Sequence, residues 1–123
     1  MADKYINMGG HKLTTDKDVL FKQKTTTYGG TVYCYKAGNV VTITLSDFTT
    51  APPINTDINL QIFDSTEEDW KPQVTVWGIL KFGGTWSYQH LMFSNINTNG
   101  SMSFYTYETG TRADATFTYV SKG

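Results

Sequence analysis

A single cysteine, Cys34, stands in the whole chain. No intramolecular disulfide can form, so stability must come from packing or from association of copies. Cys34 sits in Val32-Tyr33-Cys34-Tyr35, an alternating strand pattern in which a free cysteine serves as a small buried hydrophobe rather than a nucleophile. Histidine is nearly as scarce, with only His11 and His90. Widely separated, these three residues do not make a structural zinc set. No base is placed beside a nucleophile for Ser/His/Asp chemistry, and no Gly-x-Ser-x-Gly elbow occurs. Glu67 and Asp69 stand in an acidic run that reads as a solvated loop rather than a sheltered carboxylate pair, and the run lacks the spacing of an EF-hand. The expectation is a protein that is not an enzyme and takes no metal or cofactor.

Charge is also sparse. Charged residues are 17% of the 123 and the net charge is −1. With no dominant basic patch, nucleic acid is a poor partner on electrostatic grounds. No apolar run approaches the roughly 18 residues of a membrane-crossing helix, and the N-terminus lacks the basic and apolar regions of a signal peptide. No membrane insertion is expected. Thr, Asn, Ser, Tyr and Gly fill the space left by charge, and aromatics reach 15%. That profile suits a β-rich domain with a polar, weakly charged surface.

The chain divides into two parts. Residues 1–24 carry five Lys and three Asp with few apolar residues, and read as a neck. A short helix over 16–24 is expected there, with Asp16 as its cap and Val19, Leu20 and Gln23 on one face. A helix this short is marginal alone, so three copies would have to support one another. From residue 25 the period changes to two, giving a head over 25–123. Thr31–Tyr35 and Val40–Leu45 read as a hairpin turned at Ala37-Gly38-Asn39, with Val41, Ile43 and Leu45 on one face. Pro52-Pro53 breaks the pattern. Ile58, Leu60 and Ile62 alternate in the next strand, and Val74, Val76, Gly78 and Leu80 in another. Gly83-Gly84 reads as a turn before the return strand Thr85–Phe93. Asn99-Gly100 turns the chain again, and Ser101–Tyr107 and Ala113–Val120 complete the set. Seven or eight strands at these spacings point to an all-β fold, an antiparallel β-sandwich or jelly-roll-like head. Its interior is expected to hold Val41, Ile43, Leu45, Leu60, Ile62, Val76, Phe104 and Phe117.

Several motifs carry a family likeness. Tyr5-Ile6-Asn7-Met8-Gly9-Gly10-His11-Lys12-Leu13-Thr14 resembles the junction segment of bacteriophage tail fibres, where an Asn-Met-Gly-Gly-His-Lys-Ile-Thr-like run links shaft to distal parts. In that family an Asp-rich stretch and a short trimerising helix commonly follow; Asp16–Lys24 occupies that place here. The head resembles the C-terminal domains of tail fibres and receptor-binding proteins. Its Gly38–Thr44 strand, Trp70-Lys71-Pro72, Ile96–Phe104 hairpin and closing Ala115–Val120 come in the family's order. The acidic loop Asp64–Asp69 departs from it, standing where the family often has Leu-Pro. The resemblance implies a homotrimeric fibre tip in the virion, joined to the rest of the tail fibre and attaching it to host cell-surface polysaccharide or another receptor.

Saccharide recognition rests on aromatic platforms with polar neighbours. Trp86, Tyr88 and His90 alternate along one strand face. Tyr105 and Tyr107 lie opposite Phe104, and Glu108, Arg112 and Asp114 flank the last turn at one end of the head. These are the candidate receptor residues. Their packing alternatives, core or inter-subunit contact for the aromatics and a charged hairpin tip for the rest, stay open. So do two other functions: a carbohydrate-binding module of a bacterial secreted protein, and a structural tail or baseplate piece with no receptor site.

Overall fold

A computed structural model describes residues 5–8, 11–14, 19–85 and 88–123. Ten strands run in chain order: β1 (Tyr5–Met8), β2 (His11–Thr14), β3 (Val19–Thr25), β4 (Thr31–Ala37), β5 (Val40–Leu45), β6 (Thr56–Gln61), β7 (Val76–Thr85), β8 (Tyr88–Ile96), β9 (Ser101–Thr106) and β10 (Arg112–Val120). β1 and β2 pair with each other, Met8 opposite His11. The other eight form one continuous antiparallel sheet in the order β3-β4-β5-β10-β7-β8-β9-β6. The fold is therefore all-β with eight strands in the main sheet, joined in one curled sheet rather than two stacked ones. Among the described residues the only helical element is a single 3-10 turn, Glu68–Trp70.

Local sequence explains the strands. β4 reads buried at Val32, Cys34 and Lys36 and open at Tyr33 and Tyr35; β5 buries Val41, Ile43 and Leu45. Gly38, at φ +60°, lets a two-residue turn close this hairpin with Ala37 opposite Val40. β10 buries Ala113, Ala115, Phe117 and Tyr119 by the same alternation. On its other side, threonines of β5 and β10 bond across the strands, Thr42 to Thr118 at 3.0 Å and Thr44 to Thr116 at 3.2 Å. One core fills the curl. Phe48, Phe82 and Phe104 meet at its centre, with ring centroids 5.7–6.3 Å apart. All the expected interior residues are in it except Val76, which is half-buried and packed against it.

The sheet's two edges, β3 and β6, are not paired with each other among the described residues. The loop after β6 bridges them. Phe63 and Trp70 stack at 5.6 Å and plug the opening. Tyr119 Oη donates to the Trp70 carbonyl at 2.6 Å. Glu67, 6% exposed, takes hydrogen bonds from both Lys22 and Lys24 of β3, the latter at 2.6 Å. Lys36 donates to the Asp69 carbonyl at 2.6 Å.

Three expectations change here. Residues 19–24 are not helical: they form β3, because Lys22 and Lys24 turn inward to a buried carboxylate while Phe21 and Gln23 turn out. Positions 16–18 lie outside the described residues. The main sheet thus begins at Val19, within the segment read as a neck. The acidic loop is not solvated throughout, since Glu67 is the latch that joins it to β3. Finally, Gly83-Gly84 does not turn the chain: β7 runs through both to Thr85, with a bulge between Gly83 and Thr85, and Val74 precedes the strand and is exposed.

Candidate functional site

Strands β7, β8, β9 and β6 each send one set of side chains to the core and the other set outward. The ladders fix how the outward set is arranged. Trp77 of β7 lies opposite Asn95 of β8, Asn95 opposite Ser103 of β9, and Ser103 opposite Asn59 of β6. One step along, Ile79 lies opposite Phe93, and Tyr105 opposite Asp57. A further step pairs Lys81 with Leu91. Together these rows make a groove of about 460 Å³ lined by Asp57, Trp77, Phe93, Asn95, Tyr105 and Tyr107, with Leu91 and Ser103 completing the wall.

The groove is apolar and wet. Trp77 is 65% exposed, Leu91 70%, Phe93 73% and Tyr107 69%. Side chains of this size standing open together on one face form a contiguous apolar patch rather than scattered exposure. The Tyr105 and Tyr107 rings, both in the lining, meet at 4.8 Å and 56° as a tilted pair.

Its polar groups fall into two classes. Ser103 is used internally, accepting from Asn97 Nδ2 at 3.1 Å and donating to Asn59. The Asp57 carboxylate, the Asn95 amide, the Trp77 indole N–H and the hydroxyls of Tyr105 and Tyr107 make no hydrogen bond among the described residues. Asn95 Oδ1 is buried as well as unpartnered. A buried polar atom left unmatched carries a cost to the fold.

The residues singled out from sequence do not converge. Tyr105 and Tyr107 line the groove. Trp86 lies outside the described residues, and Tyr88 opens β8 opposite Thr85. His90 stands opposite the core residue Phe82, so its alternation differs from that of Leu91 and Phe93. It is exposed at the rim, with Nδ1 2.6 Å from Glu108 Oε1. Arg112 is engaged with Asp47 at 2.7 Å, and Asp47 also accepts from the Ala113 N–H at 3.0 Å; this pair anchors the start of β10. Asp114 faces outward on β10 opposite Lys81, three strands from Tyr105 on β9. Sequence reading missed Trp77, Phe93, Asn95 and Asp57. A signal for one of them existed: once Val76, Gly78 and Leu80 face inward, Trp77 must face outward beside Ile79, and an apolar outward set on a strand needs an explanation.

Two other reactive groups sit away from the groove. Burial pushes the Cys34 thiol up to about 12, so it stays protonated at neutral pH. Glu67 and Asp69 are both held by lysines. Among the described residues no cluster of three or more His, Cys, Asp or Glu side chains is arranged to hold a metal ion. No protein-family model matches the chain, and a search of curated proteins finds no match.

Proposed function

We propose that this chain is a non-catalytic adhesion head, the tip of a phage tail fibre of the kind its motifs resemble, and that it attaches the virion to a host cell by binding surface saccharide in the β7–β8–β9–β6 groove. One observation carries the reading: an open row of aromatic faces whose neighbouring polar groups are unengaged. Sugar rings present C–H faces that stack on such platforms and hydroxyls that need partners beside them. A carbohydrate-binding module of a secreted protein would use the same chemistry; the order of the N-terminal and head motifs favours the fibre tip.

Assembly as a homotrimer belongs to the same proposal. A second apolar stripe, Val19, Phe21, Tyr35 and Val40, is exposed at the β3 edge, next in sequence to the N-terminal segment. None of these four residues lines the groove, so packing of copies through them would leave its lining uncovered. A shallow saccharide site is weak singly, and three sites on one tip raise avidity by making later contacts intramolecular.

The test is adsorption of the labelled chain to a panel of bacterial cells. Trp77→Ala and Tyr107→Ala are expected to lose adsorption while their melting temperatures hold, because both side chains are largely exposed. Wild-type adsorption by both variants, on cells that the parent binds, would place the receptor site elsewhere.

A further inference from the structure

We infer that the groove selects uncharged saccharides, N-acetylated sugars included, and rejects uronic- and sialic-acid polymers, with Asp57 as the residue that decides. The inference rests on the saccharide reading of the groove and adds the class of sugar.

The charge of the lining carries it. Asp57 is the sole charged residue among those that form the groove. It is exposed on β6 opposite Tyr105, and no lysine, arginine or histidine of the described residues pairs with its carboxylate. Lys81, the cation on the same outer face of β7, stands opposite Leu91 and Asp114 and is outside the lining. An ionised carboxylate accepts and does not donate, with room for two sugar hydroxyls. Asp57 therefore asks its ligand for O–H or N–H groups at that point of the groove. A neutral pyranose supplies hydroxyls, and an acetamido group adds an N–H. A carboxylated sugar instead brings a second anion to Asp57, with no cation in the lining to offset it, and like charges brought together oppose binding. The aromatic faces of Trp77, Phe93 and Tyr105 take the C–H faces of either class, so stacking does not discriminate. Discrimination falls to the polar groups.

The experiment is calorimetric titration of the full chain with neutral hexasaccharides of glucose and of N-acetylglucosamine, and with oligogalacturonate and oligosialic acid, at low salt. At least one neutral series is expected to bind, with both acidic series weaker by about ten-fold or more. Asp57→Asn should weaken the neutral ligand by about ten-fold, as expected for loss of a hydrogen bond to a charged group, and should narrow the gap to the acidic ones. Tighter binding of an acidic series, lost in Trp77→Ala, overturns the selectivity while leaving the groove as a saccharide site. An unchanged affinity in Asp57→Asn removes Asp57 from the role. If neither class binds although Trp77→Ala loses adsorption to cells, the occupant is not a saccharide and the inference fails. If neither binds and Trp77→Ala adsorbs as the parent does, the groove reading fails with it.

Discussion

Two residues show how differently single side chains hold this fold. Ile43 is fully buried and stands opposite Cys34 on one side and Phe117 on the other. Ile43→Ala leaves a hole that the curled sheet cannot easily fill, and chemical denaturation is expected to show a loss of about 2–5 kcal/mol. A loss under about half a kcal/mol would mean that the site collapses freely. Glu67 acts through charge instead. Burial alone would push its carboxyl above the ordinary value, but bonds from Lys22, Lys24 and the Asp64 N–H outweigh burial and hold it below. A carboxylate whose pKa is lower folded than unfolded adds stability that is present above its unfolded value, about 4.5, and is lost as pH falls through the folded one. Asp64 and Glu68 are also held low, Asp64 by the Thr66 hydroxyl and Glu68 by Lys71 and Lys122. Glu67→Gln should therefore reduce, without abolishing, the fall in melting temperature below pH 4.5. An undiminished slope would assign the acid sensitivity to the exposed carboxylates.

At the scale of elements, close backbone approaches fix where strands can run. A side chain on Gly110 would come within 2.2 Å of the Gly83 carbonyl oxygen, because the turn before β10 packs directly on the bulged end of β7. Gly110→Ala must separate two backbones, and it is expected to lower the melting temperature well beyond the effect of Thr109→Ala at its exposed neighbour. Equal melting temperatures would show that this end of the sheet gives way without cost. The same elements show what a sequence can convey. The period of two that places Val41, Ile43, Leu45, Phe104 and Phe117 inside is local information, and the core follows it. β3 was hidden because its inward residues are lysines, whose partner Glu67 lies 43 positions beyond Lys24. Gly83-Gly84 has the composition of a turn, yet the glycines serve a bulge and a tight contact. The groove was the least legible part. Tyr105 and Tyr107 could be named from their alternation, but whether the outward residues of β7 and β8 are covered depends on a layer that no local pattern describes. His90 and Arg112 looked available in sequence and are each engaged with a carboxylate of the fold.

At the scale of the molecule, three proposals depend on one another: a trimer, a groove that faces outward in it, and saccharide as the occupant. Light scattering is expected to give about three times the 13.8 kDa chain mass; a monomer at micromolar concentration would count against the fibre-tip reading. The central claim concerns the groove, and the indole N–H signals of the three tryptophans test it most directly. Trp70 is buried in the plug, Trp77 stands in the groove, and Trp86 lies on the segment that sequence alone favoured. Each signal can be assigned by a Trp→Phe variant. In a titration of the nitrogen-15-labelled chain with the saccharide it binds, the account predicts that the Trp77 signal shifts progressively while Trp70 stays fixed. Movement of Trp86 with Trp77 unmoved would contradict it.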